Sequence, residues 1–393
     1  MRMNYIRNRL GRESVKTLLR GILRWPPLSN PKPGFSIVLG TPWDLRHLLS
    51  VNLQFVARTD TRNLHRIHIV FDRRPRAGAD AFIEGIRKAF PDLPLTFRFY
   101  PPLSGRLVER VNVSTFYNSL NTVLALRECE TQYAILHDFD LYPLTPDYFT
   151  GIVEAMASRN LHFSGRELTL FDGLTERDAI IGTWSLGIDV QWIRKHHHPV
   201  DCFHTTIRTD DGRWMSLDPY SHLQMKTPAR DLAGPIEGLA CHVRNLCSTY
   251  LRFTGGKHAK VAWRLHYLWY LESLDSHPHR LAEVTRAMNE ATSGELTIDG
   301  LKADFRHVHV GSAGVLRDEL RLMDRSLHGT PRPEVEAYIE AFERFLERYG
   351  IRSTPSADEP AAEVGRGHAS GSSAASSDAG ERSVTGVVST TGS

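Results

Sequence analysis

Two aspartates one residue apart, Asp138 and Asp140, are the residues of this chain whose type and spacing best suit chemistry. They follow a short apolar run, Tyr133 to Leu136, which predicts a buried strand. On an extended chain, side chains at positions i and i+2 point the same way, so both carboxylates can face one point in space. Converging carboxylates at a strand end suit a hard divalent cation, Mg²⁺ or Mn²⁺, that carries a phosphate. The alternative is that both are polar loop residues, because Asp-x-Asp alone is a common tripeptide.

The elements that precede these aspartates alternate between strand and helix. Apolar residues at helical spacing predict helices over 44–58, over 79–90 and from residue 114 onward. Short apolar runs predict strands at Phe35–Leu39 and Ile67–Phe71, and alternation of residue types predicts a further strand at Leu95–Tyr100. This order predicts an α/β fold with a mostly parallel, Rossmann-type sheet flanked by helices.

Polar residues stand at the ends of several of these strands. Ligands bind parallel sheets beyond the carboxyl ends of the strands. Thr41 follows the first strand, Asp72 the second, and Asp138 and Asp140 the fourth. We therefore expect these side chains to share one site at that edge of the sheet.

The rest of the chain divides by composition. Residues 1–33 form a basic arm, which predicts either an amphipathic helix on an anionic membrane or a helix packed on the domain. Its irregular apolar spacing favours the packed helix. Residues 34–260 are the predicted catalytic domain, with a nucleotide-binding half at 34–150 and an acceptor half at 151–260. Beyond it we expect two further segments, a mainly helical region at 261–352 and a disordered, Ser- and Gly-rich tail at 353–393.

Whole-chain composition excludes several classes of protein. A hydrophobic content of 41% with 24% charged residues is typical of a soluble globular protein, and a formal charge of +3 gives no reason to expect a nucleic-acid partner. No apolar run approaches the roughly 20 residues that span a bilayer. The four cysteines lack Cys-x-x-Cys spacing, so we expect reduced thiols in a cytoplasmic protein.

Taken in order, these motifs resemble the nucleotide-sugar glycosyltransferases of the GT-A type, close to the family 2-like group. The resemblance covers about residues 34 to 150, with a looser match to roughly 260. Four stretches carry it: Ser36–Pro42, Ile69–Asp72, the helix that bears Asn118 and Asn121, and Leu136–Asp140.

The resemblance implies roles for the residues at the strand ends. Thr41 resembles the polar residue near the nucleoside, and Asp72 the acidic residue that contacts base or ribose. Asp138 and Asp140 resemble the metal-binding pair, with Asp138 also next to the donor and Asp140 the direct metal ligand. The usual Asp-Gly-Ser after the second strand is replaced by arginines from Arg73 onward, which suit phosphate.

The resemblance also implies an acceptor-side acid and a third metal ligand. Asp218 sits where the family places that acid, and Asp189 is the rival; each is equally readable as a turn or cap aspartate. GT-A folds often take a further metal ligand from a C-terminal histidine. His309, His307 and His242 are the candidates, against ordinary core or surface roles.

The resemblance implies a Mn²⁺- or Mg²⁺-dependent glycosyltransferase that uses a UDP- or GDP-sugar and an unidentified carbohydrate, lipid or protein acceptor. The missing Gln-x-x-Arg-Trp motif indicates a non-processive enzyme. A nucleotidyltransferase is a second possibility, although no Gly-rich phosphate loop follows Leu39. A non-catalytic scaffold on the same sheet is a third.

Overall fold

The computed structural model describes residues 2–169, 179–208, 212, 214–255, 264–305 and 313–350, without the side chains of 2–9 and 313. The helices are α1 (Arg2–Ile22), α2 (Leu49–Val56), α3 (Ala79–Ala89), α4 (Pro102–Val111), α5 (Ser114–Glu128), α6 (Tyr148–Arg159), α7 (Val190–His196), α8 (Ser221–Met225), α9 (Leu246–Thr254), α10 (Leu265–Ser273), α11 (Arg280–Glu290), α12 (Ala313–His328) and α13 (Pro333–Arg348). The strands are β1 (Lys32–Thr41), β2 (Leu64–Phe71), β3 (Leu95–Phe99), β4 (Thr131–Asp138), β5 (Leu141–Pro143), β6 (Phe163–Gly165), β7 (Leu168–Thr169), β8 (Ile180–Ile181), β9 (Ser185–Asp189), β10 (Thr205–Arg208), β11 (Trp214–Leu217), β12 (Arg230–Leu232), β13 (Ala240–His242), β14 (Glu295–Ile298) and β15 (Leu301–Asp304).

A seven-stranded sheet organises the molecule, in the order β12-β6-β9-β4-β1-β2-β3. β1 pairs in parallel with both β2 and β4, and β2 with β3. β9 runs antiparallel to β4 and to β6, and β12 runs parallel to β6, so β9 is the reversed strand. The predicted α/β fold with a mostly parallel sheet flanked by helices is confirmed.

Alternating side chains of the central strands belong to two hydrophobic cores, one on each face of the sheet. Ile37 and Ile135 lie on one face, in a buried cluster that also contains side chains of α2, α6 and α10 to α13. Val38 and Leu136 lie on the other face, in a cluster with α1, α4, α5 and α7. Because successive side chains of a strand point to opposite faces, the continuous apolar runs of β1 and β4 require helices on both.

The N-terminal helix packs on the domain, as its irregular apolar spacing predicts. Val15, Leu19 and Leu23 recur every fourth residue and are buried in the second of these clusters. Lys16 reaches Thr205 of β10 at 3.4 Å. Since β1 begins at Lys32, the sheet starts two residues inside the segment predicted as an arm.

The region predicted as mainly helical contains α10 to α13 and also a β14–β15 hairpin, which the sequence prediction omitted. No described helix is long and apolar enough to cross a membrane. The predicted disordered tail, 353–393, lies outside the described residues.

Candidate functional site

Asp138 and Asp140 lie at the carboxyl end of β4, as the strand prediction requires. Asp138 is the last residue of β4, and its N–H donates to the Trp184 carbonyl at 3.0 Å. The Asp140 carboxylate is held more firmly, because its Oδ2 accepts the Leu246 N–H at 3.1 Å. The Asp140 carbonyl in turn accepts the Val243 N–H at 3.0 Å.

His242 joins the two aspartates through a strand pairing that is distant in sequence. β13 pairs antiparallel with β5, which places His242 opposite Leu141. His242 Nε2 then lies 3.6 Å from Asp140 Oδ1. Ligand atoms of Asp138, Asp140 and His242 all lie within 4.8 Å of one another. Two carboxylates and one imidazole form a donor set that suits Mn²⁺ and related divalent cations.

The pKa values of Asp138 and Asp140 are shifted in opposite directions. Burial raises the pKa of Asp138 well above its ordinary value, and the neighbouring charges of Asp140 and Asp218 add to the rise. Burial also acts on Asp140, but the hydrogen bond and charge of His242 outweigh it and lower the pKa of that carboxyl. Crowded carboxylates of this kind are stabilised when a cation lies between them.

The segment that follows His242 turns beside Asp140 through two residues with a strained backbone conformation. Arg244 has a φ of 54° and Asn245 a φ of 57°, two successive non-glycine residues in the left-handed region. Such conformations cost on the order of 1–3 kcal/mol each and persist only where the surroundings hold them. Here they turn the chain so that α9 begins with its Leu246 N–H directed at the Asp140 carboxylate.

Two arginines that the sequence analysis did not select lie beside this carboxylate. Arg244 forms an ion pair with Glu167, and its guanidinium lies 5.9 Å from the Trp184 ring centroid. Burial lowers the pKa of Arg264. The charge of Asp140 opposes this shift and the charge of Arg244 adds to it, so Asp140 and Arg244 both lie within electrostatic range of Arg264. Nothing in the local sequence distinguishes these arginines from surface ones.

An aromatic side chain, Trp184, lies next to His242. The Trp184 ring lies 5.3 Å from the His242 ring, tilted by 32°. Trp184 Nε1 donates to Glu167 Oε2 at 3.0 Å, which fixes the indole in place. A Cβ at Gly182 would lie 2.2 Å from the indole, so this close approach requires glycine.

Asp72 and Arg73 form a second polar group at the same edge of the sheet. Asp72 Oδ1 accepts the Trp43 N–H at 2.9 Å, and Arg73 Nη1 lies 3.3 Å from Asp72 Oδ2. The Arg73 guanidinium also lies 5.3 Å from the Tyr117 ring centroid. Burial raises the pKa of Asp72, opposed by the Trp43 hydrogen bond and the charge of Arg73.

Cys247 lies close to both polar groups, the one that contains Asp140 and the one that contains Asp72. Burial raises the pKa of its thiol to about 12, and the charges of Asp72, Asp140 and Asp44 contribute to that rise. Asp72 and Asp140 are therefore both close to the first turn of α9. Cys129, Cys202, Cys241 and Cys247 are all free thiols, as predicted.

Thr41 lies at the carboxyl end of β1, next to Asp72, the residue that follows β2. Its carbonyl accepts the Asp72 N–H at 3.2 Å, and its buried Oγ1 has no partner among the described residues. Asn121 of α5 packs over Gly40, where a Cβ would lie 2.8 Å from the Asn121 amide nitrogen. Gly40 in turn pairs with Asp138. The predicted strand-end residues thus meet at one edge.

The two candidate acceptor-side aspartates, Asp218 and Asp189, lie in different parts of the structure. Asp218 follows β11 directly, and burial raises the pKa of its carboxyl. Its charge contributes to the raised pKa of Asp138, so the two carboxyl groups are within electrostatic range of each other. Asp189 pairs with Tyr133 at the opposite end of β4, about 16 Å away along the strand. Its side chain caps α7 by accepting the Trp192 N–H at 2.9 Å, so the structure does not bring Asp189 to the site.

Among the three candidate histidines, the structure describes His242 alone. His307 and His309 lie outside the described residues. His242 presents Nε2 to Asp140 and has a buried Nδ1 without a partner among the described residues.

No family model matches the chain, and no curated protein matches it in sequence. Similar solved structures include a Pyrobaculum calidifontis mannosyltransferase in complex with GDP-Man and Mn²⁺, at 12% identity and a TM-score of 0.38, covering 89% of this chain and 94% of that one. Residues 1–349 of S. aureus TarS match at 9% identity and a TM-score of 0.35, covering 80% and 92%. The galactosyltransferase LgtC with donor and acceptor sugar analogues matches at 11% identity and a TM-score of 0.37, covering 50% and 72%. Two of these are named as glycosyltransferases, the class that the sequence resembles, but TM-scores this low assign neither an activity nor site residues.

Proposed function

We propose that this chain is a metal-dependent glycosyltransferase that moves a sugar from a nucleoside-diphosphate donor, a UDP- or GDP-sugar, to an acceptor hydroxyl. One observation carries the proposal: Asp138, Asp140 and His242 converge at the carboxyl edge of a mostly parallel sheet. That edge is where such sheets bind nucleotides and other ligands.

The residues present fit a divalent cation. Asp138 and Asp140 offer carboxylate oxygens, and His242 offers the Nε2 that faces them. A bound Mn²⁺ or Mg²⁺ would act there as a Lewis acid that stabilises the diphosphate as it leaves. The raised pKa of Asp138 supports this fit, since a cation relieves the repulsion between the two carboxylates.

The chain supplies further positive charge for a diphosphate. Arg264 is within electrostatic range of Asp140 and of Arg244, and the Leu246 N–H at the start of α9 donates to the Asp140 carboxylate. Guanidinium groups and helix N-termini both stabilise phosphate oxygens. In the absence of a donor, Glu167 neutralises Arg244 and holds it beside the Trp184 ring.

Asp72, Arg73 and Thr41 are the proposed nucleoside contacts. Asp72 retains one carboxylate oxygen beyond the Trp43 hydrogen bond, close to Arg73. A carboxylate in this position can accept hydrogen bonds from ribose hydroxyls. The Tyr117 ring beneath Arg73 fixes the guanidinium plane.

Asp218 is the proposed general base on the acceptor side. In a direct displacement, the acceptor oxygen forms a bond to the anomeric carbon as the bond from that carbon to the diphosphate oxygen breaks. The hydroxyl proton passes to the Asp218 carboxylate. A carboxyl whose pKa is raised by burial is a stronger base than an exposed one, which suits this role.

Product analysis tests the proposal. The protein is incubated with pooled sugar nucleotides and Mn²⁺, and the released products are separated. We expect a nucleoside diphosphate from the wild type and from His277→Ala, which alters an exposed turn, and at least tenfold less from His242→Ala. Release of pyrophosphate instead would identify a nucleotidyltransferase, and no turnover of any donor would favour a scaffold.

A further inference from the structure

Glu167 places a negative charge beside the proposed metal site. Its backbone lies between β6 and β7 and is fixed there, because the Glu167 carbonyl accepts the Gly182 N–H at 2.8 Å. One carboxylate oxygen, Oε2, accepts the Trp184 Nε1–H at 3.0 Å, and the other, Oε1, pairs with Arg244 Nη2. Glu167 therefore holds an indole ring with one oxygen and a guanidinium group with the other.

Arg244 lies on a segment that contacts the proposed metal ligands. It follows His242 by two residues, and the Val243 N–H between them donates to the Asp140 carbonyl at 3.0 Å. The pKa of Arg264 responds to the charges of both Arg244 and Asp140. The Arg244 backbone is thus fixed close to Asp140, and rotation of its long side chain can carry the guanidinium toward a diphosphate bound there.

The ion pair between Glu167 and Arg244 allows the guanidinium to change partners. The Arg244 side chain is 27% exposed and that of Glu167 is 23% exposed, so a ligand can reach both. Among the described residues the pair uses only Nη2, whereas Nε and Nη1 keep N–H donors for a ligand. Guanidinium groups bind phosphate through two parallel hydrogen bonds, which is a stronger arrangement than one contact to a carboxylate. A diphosphate can therefore compete with Glu167 for Arg244.

We propose that Arg244 exchanges Glu167 for the diphosphate of the donor, and that Glu167 thereby limits how tightly the nucleotide is held. This exchange rests on the proposed glycosyltransferase function, within which Glu167 is a positioning residue that acts through Arg244. The free energy of nucleotide binding then includes the loss of the Glu167–Arg244 pair. Glu167 stays bonded to Trp184 during the exchange, so its carboxylate is in place to take Arg244 back when the diphosphate product leaves.

Isothermal titration of UDP and of GDP with Mn²⁺ tests the exchange through a double-mutant cycle. Glu167→Gln removes the charge that holds Arg244 and keeps an oxygen that can accept the Trp184 N–H. Arg244→Gln removes the guanidinium, and the double variant removes both. The matched control is Glu130→Gln, which breaks the 3.0 Å ion pair of Glu130 with Lys32, at the end of β4 far from the proposed metal site. Thermal melts show whether each variant is folded.

We expect Glu167→Gln to bind the nucleotide at least threefold more tightly than the wild type, Arg244→Gln to bind it more weakly, and Glu130→Gln to match the wild type. In the Arg244→Gln background, Glu167→Gln should change the Kd by less than twofold. A gain of affinity in a folded variant is a result that a merely structural role of Glu167 would not produce.

Weaker binding by Glu167→Gln would overturn the exchange, because Glu167 would then be a structural support of the site. Unchanged binding, or an equal gain with and without Arg244, would also overturn it, because neither result involves competition for the guanidinium. In these outcomes the wild type still binds the nucleotide with Mn²⁺ and the proposed function stands. A wild type that binds neither UDP nor GDP with Mn²⁺ would overturn both.

Discussion

At the scale of single residues, the two carboxylates of the proposed metal site are predictable and their partners are not. Asp138 and Asp140 are recognisable as a pair at the end of a buried strand, although the structure brings them together through a turn at Phe139 and Asp140 and not along an extended chain. His242 was one of three candidates, and only the pairing of two three-residue strands brings it to Asp140. Arg244 and Arg264 carry no local signal, because an arginine in sequence looks the same whether it faces a phosphate or solvent.

The clearest residue-scale prediction concerns Asp218. Replacing it with asparagine removes the proposed base and keeps the shape, so kcat should fall by about 10²- to 10⁴-fold with little change in donor affinity. Steady-state kinetics with a turned-over donor and acceptor measure this effect.

Asp189→Asn is the comparison, since Asp189 caps α7 away from the site. It should change the free energy of unfolding by less than about 0.5 kcal/mol, because asparagine caps a helix about as well as aspartate, and it should leave kcat unchanged. A large loss of kcat in Asp189→Asn with none in Asp218→Asn would reverse the assignment.

At the scale of elements, β1, β2 and β4 were predicted from short apolar runs, which need two covered faces, and β3 was predicted from the alternation of Leu95 to Tyr100. The strands of the acceptor half are mostly two to five residues long and carry no comparable period. The β14–β15 hairpin did have a signal that the prediction missed. Asp299 and Gly300 have φ values of 52° and 74°, the geometry of an Asp-Gly type I′ turn.

Buried neutral histidines in these elements make stability depend on pH. Burial lowers the pKa of His266 in α10 to about 3 and that of His68 in β2 to about 4. Below the ordinary value near 6.5, the unfolded chain binds protons that the folded chain does not. The free energy of unfolding should therefore fall between pH 6.5 and 4, by about 2 kcal/mol per histidine at pH 5.

Urea titrations at pH 7 and pH 5 measure this slope. His266→Phe removes the titrating ring and keeps an aromatic volume against Phe342, so the stability difference between the two pH values should shrink by about 2 kcal/mol. Loss of the Tyr338 hydrogen bond lowers stability equally at both. An unchanged pH difference would show that His266 does not stay neutral in the folded chain.

At the scale of the whole molecule, the C-terminal helices share a core with the sheet. One buried cluster contains Ile37 and Ile135 of the sheet together with Phe345 of α13. The boundary near residue 261 was placed where the helical pattern begins, and it stays a prediction. The resemblance gave the order of the nucleotide-binding elements and the helical spacing predicted the C-terminal helices, whereas the packing of those helices against the sheet is visible only in the structure.

A shared core predicts a single unfolding transition. Phe345 is fully buried against Phe305 and Tyr349, so Phe345→Ala should cost about 3–5 kcal/mol. Far-ultraviolet circular dichroism and tryptophan fluorescence should shift together in thermal scans. Two separated transitions, with only one moved by the substitution, would mean that the C-terminal helices unfold independently of the sheet.

The central claim is that Asp138, Asp140 and His242 hold a cation that binds a nucleoside diphosphate. Isothermal titration of UDP and of GDP, with Mn²⁺ and with a chelator, measures it most directly. Asp140→Asn removes the charge and keeps an oxygen for the Leu246 N–H, and Asp92→Asn, before β3 at the opposite edge, is the control. We predict Mn²⁺-dependent binding of one nucleotide to the wild type and to Asp92→Asn, and at least tenfold weaker binding to Asp140→Asn. Nucleotide binding that is equally tight without metal, or unchanged in Asp140→Asn, would contradict the assignment.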